Sequence, residues 1–240
     1  MFSFFKKQPE PNSIPLKVDI HSHLLSNLDD GVTSLQEAEE IILEFAEMGY
    51  TKLITTPHIM SDAYRNEPHQ IREKLKELND HLLSRNISVT IEAAAEYYLD
   101  EVLLKMLHEG KEFLTFGSRY LLFETNYLTE PYLLNDFIFR LTVNGYKPVL
   151  AHPERYHYMT VEKAEDLRNR GVILQVNTLS IIGYYSKSVQ RLAEKLIDKG
   201  WVDLLGSDCH HIKHATILAE ANRNKYYRKA LALPLLNNTL

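Results

Sequence analysis

Short apolar runs alternate along the chain with longer stretches whose apolar residues recur at helical spacing. The runs at residues 16–20, 52–55, 88–94, 120–123, 148–151, 172–176 and 202–205 read as strands. Helices are expected over 35–48, 69–83, 99–108, 131–143, 161–170, 188–199 and 212–232. In the first of these, Thr33 and Ser34 offer a capping hydroxyl, Ile41, Ile42, Phe45 and Met48 share a face, and Gly49 stops the helix. Pro131 suits a first helical turn. The rhythm of β-α units is unbroken, which implies a parallel sheet covered by helices, either a barrel or an open doubly wound sheet. Residues 1–15, carrying Pro9, Pro11 and Pro15, read as a loose arm, and 16–240 as one domain.

The residues just beyond each strand favour the barrel. The first strand is followed by His21-Ser22-His23 and Asp29-Asp30, the second by Thr56-Pro57-His58, the third by Glu96 and the fourth by Glu124. The fifth runs into His152-Pro153-Glu154-Arg155, the sixth into Asn177 and the seventh into Asp208-Cys209-His210. In a closed parallel barrel the C-terminal strand ends converge on one mouth, whereas an open sheet spreads them along an edge.

In an extended His-x-His, alternate side chains face the same way, so His21 and His23 can grip one ion. Imidazoles mixed with carboxylates suit zinc, manganese or iron better than calcium. The donors outnumber the needs of one tetrahedral site, which implies two or three ions. Such clusters generate hydroxide at neutral pH and clamp the oxygens of an in-line displacement, as in phosphatases and nucleases. Arg155 adds a planar cationic fork suited to phosphate. Arg65, in the loop beyond His58, is a second candidate for phosphate, with a solvated loop arginine as the alternative.

Taken together, His21-x-His23, Asp29-Asp30-Gly31, Thr56-Pro57-His58, His152-Pro153-Glu154-Arg155-Tyr156 and Gly206-Ser207-Asp208-x-His210 resemble the motifs of the polymerase-and-histidinol-phosphatase (PHP) superfamily. Within it the chain is most similar to the CpsB/CapC group of bacterial tyrosine-protein phosphatases from capsule and exopolysaccharide loci. The resemblance implies an α/β fold, a distorted TIM-like (β/α)7 barrel, holding two or three ions. Manganese (Mn2+) is the implied metal, with iron, zinc or magnesium as alternatives. The implied ligands are His21, His23, Asp30, His58, Glu96, Glu124, His152, Asp208 and His210, with Arg155 binding substrate phosphate. The implied reaction is hydrolysis of phosphotyrosine by a metal-bridged hydroxide, on a tyrosine kinase that regulates polysaccharide export. Two other readings keep the same residues: a phosphatase for a small ester such as histidinol phosphate, and a non-catalytic, metal-stabilised binding module.

Composition narrows the field. A net charge of −5 without a basic stripe argues against nucleic acid as partner. No stretch of about 18 apolar residues offers a transmembrane segment. The single cysteine, Cys209, fits a reducing compartment, and the resemblance implies a cytoplasmic enzyme that reaches the inner face of the membrane through its substrate. A thiol phosphatase needs a Cys-x5-Arg loop, with Arg at position 215, where Ala215 stands, so Cys209 reads as packing. Of the acidic pair, Asp30 is preferred as ligand and Asp29 as cap of the Gly31 turn, while Glu154 is expected to pair with a base. His69, His81 and His108 read as surface or satisfied core residues of helices; His157, His211 and His214 lie near the mouth but match no ligand position, with a rim role as the alternative. Tyr64, Tyr97, Tyr98, Tyr127, Tyr156, Tyr158, Tyr184 and Tyr185 are candidates to flank an aromatic substrate, with ordinary rim packing as the alternative.

Overall fold

The structure is a computed structural model that describes residues 16–240, so the expected arm at 1–15 lies outside the described residues. Its strands are β1 (Val18–Asp19), β2 (Lys52–Thr55), β3 (His58–Ile59), β4 (Thr90–Ala93), β5 (Glu96–Tyr98), β6 (Tyr120–Glu124), β7 (Lys147–Ala151), β8 (Ile173–Asn177) and β9 (Leu204–Gly206). They form two sheets, β1-β2-β4 and β3-β5-β6-β7-β8-β9, in which every pairing is parallel.

These strands make seven staves. β2 continues into β3 across Thr56-Pro57, and β4 into β5 across Ala94-Ala95. The breaks lie side by side and are bridged by Ala94 N–H to Thr55 O at 2.9 Å and Glu96 N–H to Pro57 O at 3.1 Å. Pro57 has no N–H to give a ladder, which accounts for the interruption in its own stave. The last stave meets the first through Asp208 N–H to His21 O at 2.7 Å and His23 N–H to Cys209 O at 2.9 Å, around an isolated parallel bridge between Ser22 and Cys209. The result is the expected seven-stave, TIM-like α/β architecture, distorted by two strand breaks and joined at the seam by one bridge instead of a ladder.

The strand period decides what points inward. Leu122, Val149, Ala151 and Leu204 pack in a small inner cluster with Ile20 and Ile54, whereas Leu121, Phe123, Leu150 and Leu205 join the larger cluster under the helices. Glu124 has the inward parity of Leu122. His152 has the outward parity of Leu150, but its left-handed backbone (φ 34°) ends β7 and turns the ring back over the mouth.

The helices follow the expected rhythm. Leu35–Glu47 is capped by Ser34, whose side chain accepts from Glu37 N–H, and it buries Ala38, Ile41, Ile42 and Phe45. Hiding a side chain such as Phe45 contributes roughly 1.5–3 kcal/mol. Asp100, Thr160 and Ser186 cap Glu101–His108, Val161–Asn169 and Lys187–Asp198 in the same way. Three expectations need correction. The helix expected from Pro131 starts at Leu134, because Pro131 O first closes a turn with Leu134 N–H. The long helix expected over 212–232 is two helices, Ile212–Leu218 and Lys225–Leu231. Asn224 ends the continuity by adopting extended backbone and capping the second helix through Tyr226 and Tyr227 N–H. A four-residue helix, Thr178–Ile181, was not expected, and it is capped by Asn177.

Candidate metal centre

The nine residues singled out as ligands lie together at the mouth. Their donor atoms form four overlapping groups, each with all members within 4.8 Å of one another. These are His23, Asp30, His58 and His210; His21, His23 and Asp208; His21, Glu96 and His152; and His58, Glu96 and Glu124. Glu96 is fully buried and shared, with Oε2 at 3.1 Å from His21 Nε2 and 3.2 Å from His58 Nδ1, and Oε1 at 3.1 Å from His152 Nε2. Asp208 Oδ1 sits 3.4 Å from Nε2 of both His21 and His23. Asp30 Oδ1 lies 3.5 Å from Nε2 of both His58 and His210, and its side chain is 54% exposed, so this corner faces solvent.

The electrostatics favour added positive charge. Burial opposes protonation of His21, but Glu96 and Asp208 outweigh it and raise its pKa to about 9. Burial likewise opposes the charge on His58 and His210, yet Glu96 and Glu124 raise the first to about 10, and Asp30 and Asp208 raise the second to about 9. Glu96 and Asp208 are held well below the usual carboxylate range, because their imidazole partners outweigh the cost of burial. A field that holds protons on imidazoles at such pH also holds divalent cations in their place.

The donors fit such ions for a second reason, which is how the rings are held. His21 Nδ1 meets Gln175 Oε1 at 2.8 Å, His23 Nδ1 meets Asp29 Oδ2 at 2.7 Å, and His210 Nδ1 meets Asp208 O at 2.9 Å. Each leaves Nε2 directed at the carboxylates, as outer partners of metal-binding histidines do. The buried Nδ1 of His58 faces Glu96 and Glu124 yet has no hydrogen-bond partner among the described residues.

Two glycines make room for this layer. A Cβ on Gly31 would come within 2.3 Å of His23 O, and one on Gly206 within 2.7 Å of both Gln175 Nε2 and His21 Cβ. His152 and Asp208 both sit in the left-handed region, at φ 34° and 53°. Such backbone costs on the order of 1–3 kcal/mol per residue and persists where the surroundings enforce it.

Arg155 donates from Nη1 to Asp208 Oδ2 at 2.6 Å, and Asn177 Nδ2 reaches the same oxygen at 2.9 Å. Its guanidinium lies over the rings of Tyr127 and Tyr185, at 5.0 and 4.5 Å from their centroids. Burial works against its charge, but Asp208 raises its pKa above the ordinary arginine value. Arg65 is exposed and donates to Ser61 O at 2.6 Å, one residue beyond Tyr64, whose ring stacks on His58 at 5.5 Å. Tyr127 stacks on His152 at 5.8 Å, and Tyr156 and Tyr158 stack on each other at 5.4 Å.

A family model for capsular polysaccharide synthesis, CpsB/CapC, matches residues 17–230. The chain belongs to the CpsB/CapC family. A CapC protein of Staphylococcus aureus is 28% identical over 216 residues, covering 89% of this chain and 84% of that protein. The tyrosine-protein phosphatase YwqE of Bacillus subtilis is 26% identical over 198 residues, covering 82% of this chain and 78% of YwqE. A solved structure from the pair YwqE of B. subtilis and CpsB of Streptococcus pneumoniae, described as unique metal-dependent tyrosine phosphatases, superimposes with a TM-score of 0.77. It is 25% identical and covers 89% of this chain and 84% of that one. A histidinol phosphate phosphatase of Lactococcus lactis, at a TM-score of 0.55 and 13% identity over 90% of this chain and 94% of that one, shares the fold alone.

In this member of the CpsB/CapC family, four residues outside the expected set shape the centre. Asp29 caps the Gly31 turn as expected, with Oδ1 accepting Gly31 N–H at 3.0 Å, but its other oxygen holds His23 and accepts His58 N–H at 2.9 Å. Gln175 holds His21, and Tyr127 backs both His152 and Arg155. Asp19, fully buried and pushed up to about 7 by that burial, accepts from Ser207 N–H and Oγ at 2.8 Å and so fixes the approach to Asp208. A carboxylate beside the favoured ligand was the one signal visible for Asp29; Gln175 and Asp19 carry none.

Several smaller expectations are also resolved. Glu154 pairs with no base: it is buried, and Oε1 accepts Asn177 N–H at 2.9 Å. Cys209 is buried with its thiol pushed well up by desolvation, which fits the expected packing role. Glu39 of the neighbouring helix meets His81 at 2.6 Å, and Glu67 meets His69 at 3.2 Å. His214 accepts His210 N–H at 3.3 Å and packs its ring, tilted by 41°, against His211 at 3.8 Å, a support for the centre's edge. Among the described residues no helix is long and apolar enough to cross a membrane.

Proposed function

We infer that this chain is a metal-dependent phosphomonoesterase that hydrolyses phosphotyrosine in proteins. The observation that carries this reading is the pairing of a nine-donor centre with a guanidinium fixed on one of its carboxylates, Arg155 on Asp208. The names of the YwqE and CpsB relatives support it. In this reading His21, His23, Asp30, His58, Glu96, Glu124, His152, Asp208 and His210 hold two or three ions, of manganese type. Bound ions would supply Lewis acidity toward phosphoryl oxygens and a hydroxide nucleophile at neutral pH.

The chain's own groups do the rest. Arg155 binds the phosphoryl oxygens with a fork already oriented by Asp208 and by the two tyrosine rings. Tyr64 and Tyr127, each stacked on a histidine of the centre, border the space for a substrate ring. Arg65 stands next to Tyr64 at the edge of that space, where it is the second candidate for substrate phosphate. The leaving phenolate, with a pKa near 10, departs without a strong general acid. The family's description in capsular polysaccharide synthesis supports a cytoplasmic enzyme acting on a polysaccharide-export tyrosine kinase.

The test is to count metals in the purified protein and assay a phosphotyrosyl peptide with manganese and with chelator. Two or three ions per chain and chelator-sensitive phosphate release are expected. Turnover of small phosphate esters without release from the peptide would replace this reading with a metabolite phosphatase. Metal without turnover of any ester would leave a binding module.

A further inference from the structure

A groove of about 640 Å³ begins at Arg155 and runs away from the metal centre. One wall is the segment 154–162, including Met159 and Glu162; the other is the face of Lys187–Asp198 that carries Ser188, Arg191 and Lys195. Arg155 belongs to both places, since it lines the groove and bonds Asp208. Its charge is already matched there. Arg191 and Lys195 are exposed, and neither has an ion-pair partner among the described residues. The acidic residue facing them, Glu162, is engaged at the start of its own helix, where backbone N–H and Thr160 hold its carboxyl below the usual range. The groove therefore offers two cations without an ion pair among the described residues, with Lys195 adding a lesser coulombic pull on Glu162.

Their spacing specifies what fits. Residues four apart on a helix lie on one face, about 6 Å apart along the axis. In an extended peptide, side chains two residues apart also share a face, at about 6.6 Å. We propose that this groove binds the substrate protein's own chain on one side of its phosphotyrosine, as an extended segment with acidic side chains at alternate positions facing Arg191 and Lys195. The proposal rests on the phosphotyrosine reading and adds which sequences around the tyrosine are favoured.

The test compares two fluorescent peptides in which phosphonomethyl-phenylalanine replaces phosphotyrosine, one with aspartate and one with lysine at alternate flanking positions. Anisotropy with the manganese-loaded protein should show about tenfold tighter binding of the aspartate peptide, a preference abolished in the double variant Arg191→Glu, Lys195→Glu. With phosphotyrosyl versions, the ratio of kcat/KM for the aspartate peptide to that for p-nitrophenyl phosphate should fall about tenfold in that variant. Equal binding of the two peptides, or a preference that survives the double variant, overturns the proposal. Failure of the wild-type protein to hydrolyse any aryl phosphate strikes the phosphatase reading instead, and the anisotropy result still decides the groove.

Discussion

The Oδ2 atom of Asp29 lies 2.7 Å from Nδ1 of His23, while the opposite nitrogen of that ring faces Asp208 at 3.4 Å. The imidazole is thus held between an outer and an inner carboxylate. Burial opposes ionisation of Asp29, but the His23 ring and the N–H groups of His58 and Gly31 keep its pKa below the usual range. Asp29→Asn keeps the shape and removes the charge, so manganese affinity should fall about 10–100-fold with the fold intact. Calorimetric titration checks this; unchanged affinity would reduce Asp29 to a turn cap.

Arg155→Ala should raise KM for p-nitrophenyl phosphate at least about tenfold while the metal count stays the same, because Arg155 touches a candidate ligand but is not one. Arg155→Lys should recover little, since a lysine neither forks nor stacks between Tyr127 and Tyr185. Elemental analysis alongside kinetics separates the two roles, and metal lost in Arg155→Ala would make the residue structural.

The raised values of His21, His58 and His210 predict how the chelator-treated protein responds to alkali. A group whose folded pKa is raised stabilises the fold while protonated, fully below the unfolded value near 6.5. That contribution disappears as pH climbs through about 9 for His21 and His210 and about 10 for His58, leaving Glu96, Glu124 and Asp30 without these counter-charges and Asp208 with Arg155 alone. Between pH 7 and 10 the Tm of chelator-treated protein should drop much more than that of manganese-loaded protein. Parallel curves in differential scanning fluorimetry would contradict the assignment of these rings to the metals.

Gly206→Ala places a methyl group 2.7 Å from Gln175 Nε2 and from His21 Cβ. Overpacking of this kind costs about 1–3 kcal/mol, and here the displaced groups are a candidate ligand and the residue that orients it. A lower urea midpoint together with weaker manganese binding is expected. A loss of stability with unaltered metal affinity would mean that Gln175 yields while His21 stays in place.

The sequence displayed the centre's inner donors because each stands at a strand end, and strand ends can be read from apolar runs and periodicity. The two donors within His21-x-His23, and the two within Asp208-x-His210, lie two residues apart, so spacing alone brings each pair to one place. Gln175 meets His21 across 154 residues of sequence and sits inside a strand, where nothing in its surroundings marks it. The same limit explains the breaks at Thr56-Pro57 and Ala94-Ala95, which depend on two staves lying side by side and look, in one dimension, like ordinary strand ends. Asn224 was readable in principle as a cap, but helical spacing continues across it and conceals the stop.

The seam between the first and last staves also fixes when the centre comes into being. Asp19 and Ser207, which meet there, are 188 residues apart, and the histidines after the one face the aspartate and histidine after the other. At about 5–20 residues per second, ribosomal synthesis leaves His21 and His23 waiting on the order of 10–40 s for those partners to be made. Two of the four donor groups are complete by residue 152, whereas the two that need Asp208 or His210 close only once the last stave has been made.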